Sequence, residues 1–143
     1  MKQVYDGLFL GDLNDADNAN SYEDHDVENI LNVASPTAES TPSDEIVDEY
    51  NYINVPLLDG GSNPDFLIQF VLETAKELHE EGPTLIYCSV GVSRSVAVAA
   101  AVMSLENGKR VRENINRIRK VHPAVNVEPE LAEQVSRITS ELY

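Results

Sequence analysis

The chain has 143 residues, 42% of them hydrophobic, enough for one domain with a substantial core. Its 25 acidic residues against 10 basic ones leave a formal net charge of −15, which excludes nonspecific nucleic-acid binding because a phosphate backbone would be repelled. A single cysteine excludes an internal disulfide and points to a reducing, cytoplasmic setting, as does the lack of a signal-like or long uncharged apolar segment.

The acidity has two readings. Low-complexity disorder is the first, but the apolar content and clear periodicity oppose it. Adaptation to a very salty, halophilic cytosol is the better one, since dense salt screens self-repulsion. The charge is also uneven. Lys2 is the only base among the first fifty residues, whereas Lys109, Arg110, Arg112, Arg117, Arg119 and Lys120 are clustered. That cluster reads as the solvated face of an amphipathic helix, or as a basic patch near an anion site.

In chain order, "VYDGLFLG" (residues 4–11) predicts two short strands about an Asp6-Gly7 turn. Residues 12–26 are polar and acidic, a short helix and loop. Residues 27–35 predict a strand and residues 36–45 a turn-rich surface loop. Residues 50–58 predict a strand stopped near Pro56, and residues 59–64 a loop. A helix starts near Pro64, with Asn63 as its N-cap and an apolar stripe of Phe66, Leu67, Phe70, Val71, Ala75 and Leu78. Gly82-Pro83 ends it. Residues 84–88 predict a strand, and residues 93–108 a buried helix capped by Gly108. A basic helix over residues 110–121 and a last helix over residues 129–142 follow. Strands alternating with helices predict a single α/β domain with a largely parallel sheet.

The lone thiol, Cys88, opens the loop "CSVGVSRS" between a strand and a helix. Ligands of open α/β sheets bind at that kind of junction. The amides of Ser89, Val90, Gly91, Val92, Ser93 and Arg94 suit an oxyanion nest at a helix start. Gly91 allows a tight turn, and the Arg94 guanidinium offers a fork for two phosphate oxygens. A helix start beside a cation also favours the thiolate form of a cysteine, a ready nucleophile under a bound phosphate. A lone cysteine is more often a small core residue, but this context argues for chemistry. A Walker loop is excluded, because no Gly-Lys-Ser/Thr follows. His25, His79 and His122 are scattered and show no metal-ligand spacing.

The Cys-x5-Arg-Ser pattern resembles the signature of cysteine-based protein phosphatases, and the chain looks like their small dual-specificity branch. "DGLFLGDLNDADN", "ILNVA" and "YNYINVPLLD" resemble that family's opening strand and helix and its next strands, so the likeness spans nearly the whole length. The resemblance implies Cys88 as nucleophile, Arg94 as phosphate ligand, Ser95 as the hydroxyl that eases thiolate departure, and Asp59 as general acid. It implies a phosphorylated protein as partner and neither metal nor organic cofactor. From the residues alone, Asp59 before Gly-Gly fits a turn former equally well. Two positions depart from the family. Tyr87 stands where a histidine usually precedes the cysteine. Residues 125–131 do not reproduce the Pro-Asn pair that braces the catalytic loops. A noncatalytic phosphate-binding module, a sulfur-transfer enzyme and a phosphatase of phosphoinositides or nucleotides stay open. The loop's lack of lysines disfavours an inositol phosphate.

Overall fold

A computed structural model describes residues 1–18, 24–35 and 41–142. Five strands form one sheet in the order β1-β2-β5-β3-β4. Strand β1 (Lys2–Tyr5) pairs antiparallel with β2 (Leu8–Gly11), and every other pair is parallel. The Asp6-Gly7 turn closes the hairpin, with Gly7 at φ +69°. Strands β3 (Asn29–Asn32) and β4 (Asn51–Asn54) lie on the far side of the central β5 (Thr84–Tyr87).

The period of two along the strands divides the interior. Leu8, Leu10, Leu31 and Ile86 face one core, which also contains Cys88. Phe9, Ile30, Leu85 and Tyr87 face a second, smaller core with Ala16 and Ile46. Tyr87 is fully buried there, on the opposite face of the sheet from its neighbour Cys88. Ala16 ends α1 (Leu13–Ala16), which an Asp12/Asp15 capping box starts, and Ile46 lies in α2 (Asp44–Glu49).

The larger face carries four helices: α3 (Asp65–Glu81), α4 (Arg94–Asn107), α5 (Val111–Val121) and α6 (Pro129–Glu141). Helix α4 is central. Every residue from 95 to 104 is buried, in agreement with its unbroken Ala/Val composition, and Gly108 ends it in the left-handed region. Val111, Ile115 and Ile118 of α5 pack inward, while Arg112, Arg117, Arg119 and Lys120 stay exposed. The basic run is therefore the outer face of an amphipathic helix.

Three sequence expectations need correction. Asp44 and Glu45 belong to the first turn of α2 instead of a loop, and residues 36–40 lie outside the described residues. Asn63 does not cap α3. Pro64 occupies the cap position and Asn63 turns back into the preceding loop. The inner face of α3 is Ile68, Val71, Leu72, Ala75 and Leu78, whereas Phe66 and Phe70 are 74% and 55% exposed. At 100° per residue, positions 66 and 70 each fall about 160° from Ile68, on the side away from the sheet.

Candidate active site

Residues 88–93 connect the end of β5 to the start of α4, at the carboxyl edge of the central parallel strand. Gly91 makes the loop possible. It sits at φ +76°, and a Cβ there would lie 2.7 Å from the backbone oxygen of Gly11. Two neighbours fix the loop from the α5–α6 connection. His122 Nε2 donates to the Gly91 carbonyl at 3.0 Å, and the Asn126 amide donates to the Val92 carbonyl at 3.0 Å. Among the described residues, none of the backbone N–H groups of Ser89, Val90, Gly91, Val92, Ser93 or Arg94 donates to a protein acceptor. Six consecutive donors that follow the thiol in the chain are thus left for a ligand, and an oxyanion is the group that satisfies them.

Cys88 is 2% exposed, and its Sγ lies 3.3 Å from Oγ of Ser95, the second residue of α4. A thiolate accepts a hydrogen bond from that hydroxyl. Arg94, half-buried, places Nη1 3.1 Å from the Leu57 carbonyl, so the backbone ahead of the Asp59 loop holds the guanidinium. Asp59 itself is exposed. Ser93 Oγ donates to its Oδ1 at 2.6 Å and accepts from the Glu128 amide at 3.0 Å. The buried Ser93 hydroxyl therefore joins three segments of chain: the phosphate loop, the Asp59 loop and the start of α6.

Asn63 shapes the Asp59 loop. Its carboxamide accepts from the Leu58 amide at 2.8 Å and donates to the Leu58 carbonyl at 2.7 Å. Gln134 of α6 donates to the Asn63 carbonyl at 2.6 Å and to Asp65 at 2.9 Å. The structure thus brings together Cys88, Arg94, Ser95 and the six loop amides, with Asp59 tied to them through Ser93. Residues 125–131 lack the family's Pro-Asn pair, but the backbone amides of Asn126 and Glu128 donate to the Val92 carbonyl and to Ser93 Oγ, so this segment is hydrogen-bonded to the loop. Sequence reasoning missed the side-chain roles of Ser93, Asn63 and His122. The partners of Ser93 and His122 lie 34 and 31 residues away, and Asn63, whose side chain bonds Leu58 five residues back, has its carbonyl held by Gln134 71 residues on, so a polar residue in a loop carries no local signal of these roles.

The other histidines have partners of their own. His79 Nδ1 pairs with Glu106 at 3.1 Å and its Nε2 donates to the Asp6 carbonyl at 2.7 Å, while His25 packs edge-on against Phe9. Among the described residues, no group of three His, Cys, Asp or Glu side chains is arranged to hold a metal ion. None of the described helices is long and apolar enough to cross a membrane.

Comparison with known proteins agrees with this geometry. The family model described as "Dual specificity phosphatase, catalytic domain" matches residues 8–141. The chain is 29% identical over 107 residues to Dual specificity protein phosphatase 22-A of Danio rerio, covering 72% of this chain and 48% of the relative. It is 24% identical over 123 residues to Dual specificity protein phosphatase 1 of Arabidopsis thaliana, covering 86% of this chain and 61% of the relative. The chain therefore spans about half to three-fifths of the length of these curated relatives. Its fold is similar to human tyrosine phosphatase-like serine/threonine/tyrosine-interacting protein, with a TM-score of 0.85 at 19% identity over 99% of this chain and 97% of that one. It is also similar to human DUSP28, with a TM-score of 0.82 at 21% identity over 99% and 97% of the two chains. The family match over nearly the whole length, on a phosphate-type loop built around Cys88, means that this chain belongs to the dual specificity phosphatase catalytic-domain family.

Proposed function

We propose that the protein is a cysteine-dependent phosphatase that hydrolyses phosphate monoesters on tyrosine and on serine or threonine of protein substrates, with residues 1–143 acting as one catalytic domain. The observation that carries this reading is the run of six amides without a protein acceptor that directly follows the buried Cys88, ends at Arg94 and leads into the helix whose Ser95 hydroxyl touches Sγ. A phosphate bound there presents its phosphorus to Sγ. The sulfur attacks, a P–S bond forms, and the bond from phosphorus to the leaving oxygen breaks in line. The protonated Asp59 carboxyl gives its proton to that oxygen. A water then attacks the phosphocysteine and gives a proton to the Asp59 carboxylate. The P–S bond breaks, its electron pair returns to Sγ, and the Ser95 hydroxyl hydrogen-bonds the departing thiolate. Inorganic phosphate leaves.

Arg94 and the loop amides stabilise the charge spread over the equatorial oxygens. Ser93 holds Asp59 at the loop. Tyr87 points into the opposite core, so the thiolate depends on the amides, Ser95 and Arg94 for its stabilisation. The acidic surface fits work in a cytoplasm of high ionic strength, and repulsion of nucleic acid follows from the same charge.

The test is acid quenching during turnover of a labelled phosphotyrosine peptide. The wild-type chain should yield phosphocysteine, and Cys88→Ser should yield none and show no turnover while still binding inorganic phosphate. Turnover by Cys88→Ser above the trace level would refute the covalent route.

A further inference from the structure

At the end of α4 furthest from the phosphate loop, the chain turns through Gly108 into α5. A cleft of about 400 Å³ opens there against the last turns of α6. Lys109, Arg110 and Arg112 line one wall, and Ser136, Thr139 and Ser140 line the other. No carboxylate contributes to the lining, although the chain as a whole carries 25 acidic residues. Among the described residues, none of these three cations forms an ion pair with an acid. By contrast, Lys76 pairs with Glu80, and Arg137 pairs with Asp65 and Glu141. The first turn of α5 adds free amides, because its N-cap Arg110 has no side-chain cap bond. Helix α4 has 14 residues, so the cleft lies about 21 Å from the catalytic loop and is separate from it.

We infer that this cleft is a second anion site, which docks a phosphorylated segment of a protein partner while the catalytic loop remains free. Three cations without an ion-pair partner in one concavity of a −15 protein, with Glu113 the acid in the same turn of α5, concentrate positive charge where an anion can reach it. Two guanidinium forks match a phosphate dianion better than an isolated carboxylate, because each fork engages two oxygens at once. The exposed Ser140 hydroxyl donates to the Ser136 carbonyl at 3.0 Å and keeps lone pairs that suit a peptide N–H beside the phosphate. The volume exceeds that of a single phosphate ion, so flanking chain contributes contact. The protein source of the phosphate rests on the phosphatase reading above, whereas anion capture by the cleft does not.

Backbone amide NMR of the full chain at low ionic strength tests this, in the Cys88→Ser background so that phosphopeptide is not consumed. The probes are sodium chloride, inorganic phosphate, and a phosphoserine peptide of otherwise neutral residues with its unphosphorylated counterpart. The phosphopeptide should move the amides of residues 108–113 along a saturating curve distinct from that of residues 89–94. It should bind the cleft at least tenfold more tightly than inorganic phosphate does, and the unphosphorylated peptide should leave both sets unmoved. Lys109→Glu/Arg110→Glu/Arg112→Glu should abolish the first set and keep the second. In the Cys88 background, the same triple variant should turn over nitrophenyl phosphate at the wild-type rate. That rate shows that the fold and the catalytic loop are intact, and it tests the phosphatase reading independently. Equal shifts with chloride, persistence of the first set in the triple variant, or inorganic phosphate binding as tightly as the phosphopeptide would each overturn the inference.

Discussion

Replacing Ser93 by alanine removes one hydroxyl and two hydrogen bonds. One is the 2.6 Å contact to Asp59, the other the 3.0 Å bond from the Glu128 amide. Asp59 is protonated in the first step, so there the first counts as a bond between neutral groups, a class that contributes roughly 0.5–1.5 kcal/mol. At about 1.4 kcal/mol per tenfold in rate, loss of that restraint on the acid corresponds to roughly a 2- to 12-fold slower first step. This is a share of the 10²–10⁴-fold that general acid catalysis typically contributes, because a loose Asp59 still donates some of the time. Glu128 is half-buried, so water can reach its amide and the stability cost stays near the low end, about 1 kcal/mol. Single-turnover rates on nitrophenyl phosphate, a phosphotyrosine peptide and a phosphoserine peptide, with urea unfolding as the stability control, provide the assay. Nitrophenolate leaves without a proton, so Ser93→Ala should act on it nearly as the wild type does. The loss should grow for the phenolate and be greatest for the alkoxide. Ser93 acts through Asp59, so Ser93→Ala in an Asp59→Asn background should add nothing further. Multiplying losses in the double variant, or an equal loss for all three leaving groups, would refute the assignment.

Gly91→Ala should destabilise the protein by about 2–5 kcal/mol. The left-handed backbone costs an L-residue roughly 1–2 kcal/mol, and the new Cβ, 2.7 Å from the Gly11 oxygen, overpacks the loop for about 1–3 more. Phosphate affinity measured by calorimetry should fall with it, and an unchanged affinity would show that the loop amides tolerate displacement. Raising KCl from dilute buffer to about 1 M shortens the Debye length to about 3 Å, so Tm and turnover should both rise for a chain of net charge −15. A flat or falling response in both would remove the high-salt reading. Hydrogen bonds from Arg137 and Gln134 hold the Asp65 carboxyl below its usual 3.8. Stability from a depressed carboxyl is present above the unfolded value and lost as pH falls through the lower folded one. Asp65→Asn should therefore flatten the decline of Tm below about pH 4, and an unaltered slope would assign the acid sensitivity elsewhere. Arg94→Lys should lower phosphate affinity and turnover together, because a point charge cannot reproduce the fork, and near-normal values would count against the site.

What the sequence determined by itself are the features encoded within a few neighbouring residues. Asp6-Gly7 closes a hairpin because glycine takes positive φ, Gly108 ends α4 for the same reason, and an unbroken Ala/Val helix has no polar side to show to water. The thiol, Gly91 and Arg94 share one strand–loop–helix segment, so the centre of the site was legible from a single stretch. Tertiary structure alone decided which of several locally plausible partners each polar group takes. Asn63 precedes a helix and fits a cap, yet its carboxamide bonds better to the Leu58 backbone once Gln134 holds its carbonyl. The face of α3 was ambiguous because Phe66/Phe70 and Ile68/Leu72 are both apolar, and only the position of the sheet buries the second pair. Asp59 fits a turn as readily as an acid until Ser93, 34 residues later, reaches its carboxylate. Hydrogen bonds fall off within about an ångström, so such pairings depend on where the fold brings distant segments together, and no short window of sequence contains that information.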